Sequence, residues 1–179
     1  LVFLGALTVA QAQVMEQTQP LSGGSPGHFS TETSDTLNTP FVDDFSYRID
    51  KPSPGLWSDQ DVWVNDAMPL YQNSIGVATF DGCNGYGKPY QPGNTATNGI
   101  SDQLTSQYIN LQGASDVWLS FQYQRAGRGE VPSSSDSLVV SFYSPADSTW
   151  TQVWGEKGTG NPDAFKTAMI PVLGNQFLK

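Results

Sequence analysis

The sequence predicts an all-β domain, an antiparallel β-sandwich of the jelly-roll type. Short runs of alternating apolar and polar residues recur along the chain, separated by turn-forming stretches. Glycine and proline are frequent, at 18 and 12 of 179 residues, while charged residues make up only 14% and aromatics reach 12%. That balance suits many turns around an aromatic core better than a helical bundle or a disordered chain. Helical periodicity is not sustained over a useful length anywhere. A domain of this size buries roughly 70% of its unfolded surface, enough for a core of its own.

The opening residues 1–12, LVFLGALTVAQA, read as the tail of a secretory signal peptide. The apolar run is too short to span a bilayer, and Ala10 and Ala12 stand at −3 and −1 of a cleavage site before Gln13. No basic n-region precedes it, so the chain is expected to begin inside that peptide. Export to the extracellular space or outer cell surface follows, with no membrane span in the mature fragment. Residues 13–39 are rich in Ser, Thr, Gly, Gln and Pro and read as a flexible linker. The one histidine, His28, lies there, which removes the basis for a Ser-His-Asp triad or a multi-histidine metal site.

The folded module is expected over residues 40–179. It begins with PFVDDFSY, where Phe41, Phe45 and Tyr47 are apolar anchors around Asp43 and Asp44. After the turn at residues 52–54, LWSDQDVWVND places Trp57, Val62 and Val64 inward and Asp59, Asp61 and Asn65 toward water or a cation. Residues 74–90, SIGVATFDGCNGYGKPY, organise the chain around them. Ile75, Val77 and Thr79 alternate as a strand, and Asp81-Gly82, Gly85, Gly87 and Pro89 then force a loop. Phe80, Tyr86 and Tyr90 are placed to pin that loop to a sheet.

A second loop at 93–99 leads to the segments around Leu104 and Ile109. DVWLSFQYQ (116–124) is the cleanest strand, with Val117, Leu119, Phe121 and Tyr123 on one face and Trp118, Ser120, Gln122 and Gln124 on the other. Further strands are expected at 137–143, with Leu138, Val140 and Phe142 on one face, at 148–154 and at 165–172. Residues 175–179 look like the start of another strand, which predicts a sandwich lacking its last strand and therefore a C-terminal truncation.

With a net charge of −9, a pI near 4.2 and eight scattered basic residues, the chain has no cationic stripe for a phosphate backbone, which argues against nucleic acid. The acids are mostly Asp, suited either to turns or to calcium ligation. Asp43, Asp44, Asp59 and Asp61 are the candidate calcium ligands. Asp59-x-Asp61 lacks the glycine and distal Glu of an EF-hand loop, and the alternative is that these residues cap turns through backbone amides. No cofactor is required, so a structural calcium would be the only bound ion. Cys83 is alone, so no intrachain disulfide forms, and no basic neighbour in sequence activates its thiol.

The motifs PFVDDFSY, LWSDQDVWVN, SIGVATFDGCNGYGKPY, SDQLTSQYINL, VWLSFQYQ, DSLVVSFY and WTQVW, taken in order, resemble a family of secreted surface proteins from gliding, type IX-secreting bacteria. The resemblance covers residues 40–179 and implies a jelly-roll module similar to MAM and lectin-like (concanavalin-like) sandwiches. It also implies a downstream sorting domain, which is not in this sequence, and brings no assigned activity.

The expected role is non-catalytic: adhesion, structure or binding of a glycan or surface-protein ligand. Trp118, Tyr86, Arg125 and Arg128 are the candidate ligand-binding residues, an aromatic face for stacking and polar groups for hydroxyls. For Trp118 the alternative is packing under a loop. The other readings are a calcium-stabilised spacer and an accessory domain of a secreted hydrolase whose catalytic part lies elsewhere. No Glu-x-Asp-x-Glu pattern supplies the paired carboxylates of a glycosidase, so the module itself is not expected to be an enzyme.

Overall fold

The computed structural model describes residues 36–46, 51–90, 92–93 and 99–178. The expectations for residues 1–12, most of 13–39, Tyr47 and most of the 93–99 loop lie outside the described residues. What is described is all-β, as the alternation predicts. Strands β1 (Leu37–Asn38) and β4 (Ile109–Asn110) pair in parallel, and β2 (Trp63–Asn65) pairs antiparallel with β3 (Val77–Thr79). Strands β5 (Trp118–Tyr123) and β8 (Lys166–Pro171), and β6 (Ser137–Ser144) and β7 (Thr149–Lys157), form the two long antiparallel ladders. Among the described residues no helix is long and apolar enough to cross a membrane.

The β5 alternation predicts its faces correctly. Leu119, Phe121 and Tyr123 stand opposite Ile170, Ala168 and Lys166, and Ala168 and Ile170 are buried. Phe121 and Tyr123 meet Trp154 of β7 edge-on at 5.2 and 4.9 Å between ring centroids. Those T-shaped contacts join the two long ladders. The β6/β7 hairpin carries one irregularity. Val140 opposes Trp154 and Ser141 opposes Gln152, so Val153 bulges out of the ladder. The hairpin closes through residues 145–148, where the Ser144 hydroxyl donates to Asp147 Oδ2 at 2.9 Å.

A second packing centre forms where the sequence put its first apolar anchors. Phe41 and Phe45 flank Trp57 at 5.4 and 5.9 Å, and Val62 and Val64 are fully buried. Gly76 is required here, because a Cβ at that position would stand 2.6 Å from the Phe45 carbonyl oxygen.

Two boundaries differ from expectation. Leu37 and Asn38, assigned to the linker, pair with Ile109 and Asn110, so the folded part starts before Pro40. The expected strand at 175–179 is instead a 3-10 turn, Asn175–Phe177. Its Phe177 is buried against Phe142 at 5.5 Å, so the apolar residue read as strand-forming fills the core from a turn.

Candidate functional site

Three of the four candidate calcium ligands accept hydrogen bonds from their own chain. Asp43 accepts the Phe45 amide through Oδ1 (2.9 Å) and the Trp57 indole N–H through Oδ2 (2.6 Å). The first bond is an Asx turn that holds Phe45 at φ 51°. Asp44 accepts both the amide and the hydroxyl of Ser46 (3.0 and 2.6 Å), which holds its carboxyl below the usual range. Asp59 receives the Thr105 amide on both oxygens at 3.0 Å. Asp61 instead faces the 81–90 loop, where its charge acts on the Tyr90 phenol. Among the described residues no group of three or more His, Cys, Asp or Glu side chains is arranged to hold a metal ion.

The 81–90 loop is ordered by polar capping more than by aromatic pinning. Asp81 Oδ1 accepts the Cys83 amide, and Asn84 Oδ1 accepts those of Tyr86 and Lys88. Asp102 ties the loop down from outside, accepting the Gly82 amide at 2.8 Å and the Tyr90 hydroxyl at 2.9 Å. All three aromatics expected to pin the loop are exposed, and of them Tyr90 is held by this bond. Burial first, then Asp81 and Asp102, push the Cys83 thiol pKa up, which disfavours the nucleophilic thiolate.

The candidate ligand-binding residues divide. Trp118 is 55% exposed on the outer face of β5, opposite Pro171 and beside Ser120 and Gln122. Among the described residues no loop covers it. Tyr86 is exposed, and no hydrogen bond or ring contact joins it to Trp118, Arg125 or Arg128 among the described residues. Arg128 is exposed and anchored to the 68–69 turn, its amide donating to Met68 O and its Nε to Pro69 O.

Arg125 is not a free loop cation. Its Nε pairs with Asp163 Oδ2 at 2.5 Å and its Nη1 with Glu156 at 3.2 Å, while Lys166 bridges the same two carboxylates at 3.5 and 3.6 Å. The hydrogen bond from Arg125 holds the Asp163 carboxyl below the ordinary range. The guanidinium ties the segment after β5 to β7 and to the loop before β8.

One constellation was missed. Tyr143 and Trp150 are directly opposed on the outer face of the β6/β7 hairpin, with ring centroids 5.1 Å apart and planes tilted by 47°. Tyr108, just before β4, approaches Tyr143 at 6.2 Å and 57°. Trp150 is 58% and Tyr108 52% exposed. The signal was available for Tyr143, which falls on the polar side of the Leu138-Val140-Phe142 alternation, as Trp118 does in β5. The convergence needs the hairpin register and the approach of Tyr108 from far upstream.

Compared with protein-family models, curated proteins and solved structures, the chain matches none.

Proposed function

We propose that this chain is a non-catalytic binding module of an exported, surface-displayed protein, of jelly-roll design like the MAM and lectin-like modules of type IX-secreting bacteria, and that it holds a glycan through exposed aromatic side chains. The observation that carries this reading is the pair of indoles, Trp118 and Trp150, each more than half exposed on the outward face of a strand. Tryptophan is strongly buried on average, and leaving such a ring in water forgoes roughly 1.5–3 kcal/mol of burial. Ring faces held rigidly on a sheet are what a sugar's C–H face stacks on, with little side-chain ordering left to oppose binding.

The test is a glycan array probed with the purified 179-residue chain, followed by calorimetry on the strongest ligands and chromatography of the incubated sugars. Saturable binding with the glycans recovered intact is the expected result. Cleaved products would replace the reading with a hydrolase, and a blank array would withdraw it.

A further inference from the structure

Tyr108, Tyr143 and Trp150 converge from two separate parts of the chain onto the outer face of the β6/β7 hairpin. The rings do not lie flat on one another. Their successive interplanar angles are 57° and 47°. One register step along the hairpin on the same face, Ser141 opposes Gln152, so a hydroxyl borders the rings, while the Gln152 amide lies over Gly155. The carboxylate in the neighbouring turn, Asp147, accepts the Ser144 hydroxyl, and Glu156 lies on the opposite face, paired with Arg125 and Lys166. Aromatic faces edged by a neutral hydroxyl, with no cation directed at them among the described residues, are complementary to an uncharged ligand carrying both C–H faces and hydroxyls. A net charge of −9 disfavours a sulfated or phosphorylated ligand.

The size of the surface decides against a protein partner. An aromatic side chain offers about 150–250 Å², and these three are already partly covered. Their exposed area falls well short of the roughly 800 Å² per partner that a stable protein interface buries. It matches one or two sugar rings.

We infer that Tyr108, Tyr143 and Trp150 form the binding subsite for a neutral pyranose, with Ser141 meeting its hydroxyls. The inference rests on the glycan-binding reading above and places the subsite on the β6/β7 hairpin instead of at Trp118.

Calorimetry with neutral gluco-, manno-, galacto- and xylo-oligosaccharides tests it on the wild-type chain and on Trp150→Ala, Trp150→Phe, Tyr108→Ala, Trp118→Ala and Met169→Ala, each checked for a cooperative melt. Loss of one stacking ring is expected to weaken binding about ten-fold in Trp150→Ala and Tyr108→Ala. Trp150→Phe, which keeps an aromatic face and guards against a misfolded alanine variant, should retain most of the affinity. Met169→Ala, at an exposed β8 position outside the three rings, should bind as wild type, and added salt should change the affinity little. Wild-type binding that survives both alanine changes, or that is lost only in Trp118→Ala, overturns the subsite while leaving the glycan reading in place. Affinity that collapses with salt overturns the neutral ligand. A wild-type chain that binds none of these sugars and leaves the array blank removes both.

Discussion

At the scale of single residues, Asp43 shows how an acidic side chain that reads as a metal ligand can be part of the core. Its carboxylate turns the chain at Phe45 and accepts the indole N–H of the tryptophan that Phe41 and Phe45 enclose. Asp43→Ala leaves that N–H facing an aromatic cluster. A loss of about 1–3 kcal/mol is expected, the cost of a half-buried donor without its acceptor, read from urea unfolding followed by tryptophan fluorescence. Val64→Ala, at a fully buried position, should cost about 2 kcal/mol through the cavity it leaves, with an unchanged denaturant slope. The anchors themselves were legible, since large apolar residues recur around the Asp pair and Val62 and Val64 alternate with polar neighbours. Which donor each aspartate would accept was not. An indole fourteen positions away and an amide forty-six away leave no mark on local spacing.

At the scale of elements, the strands could be read and their partners could not. The β5 alternation identifies its buried face residue by residue, yet its partner β8 lies more than forty residues downstream, and apolar pattern alone does not choose among candidate strands. The Val153 bulge reaches further, because it shifts the β7 side of the ladder so that Trp150 is set opposite Tyr143. A uniform alternation through 148–154 puts Trp150 and Trp154 on one face. With the bulge, Trp154 turns to Phe121 and Tyr123 while Trp150 turns out beside Tyr143.

The ends of β5, β7 and β8 are tied by Arg125, Asp163, Glu156 and Lys166, and this cluster gives the ladders a pH dependence. Asp163 has a folded pKa held below the ordinary value by Arg125. Its contribution to stability is therefore complete above the unfolded carboxylate pKa of about 3.9 and is lost as the pH falls through the folded value. Asp163→Asn should lower the melting midpoint at pH 7 and narrow the wild-type–variant gap below about pH 4. A gap that stays constant across that range would show that the carboxylate's charge is not what matters.

At the scale of the whole molecule, composition and turn density suffice for the all-β class, because so many glycines and prolines leave only short segments to pair. The same acidity that argues against a polyanionic partner invites a calcium reading, and here the arrangement of the chain changes the expectation. A calcium site needs six to eight oxygens converging within about 2.3–2.6 Å of one point. Asp43, Asp44 and Asp59 instead have oxygens facing N–H or O–H donors on three separate stretches of chain. Recruiting them to a cation would break the turn at Phe45, the indole bond at Trp57 and the tie to Thr105 together, at about 0.5–1.5 kcal/mol for each ordinary bond and more for those to a charged group. Weak extracellular calcium sites, with Kd on the order of 0.1–1 mM, return only about 0.4–1.4 kcal/mol at 1 mM calcium. The melting midpoint of the chain in EDTA should therefore equal that in millimolar calcium. A calcium-dependent rise would mean that these aspartates exchange their donors for the ion, and Asp59→Asn and Asp43→Asn should then abolish it.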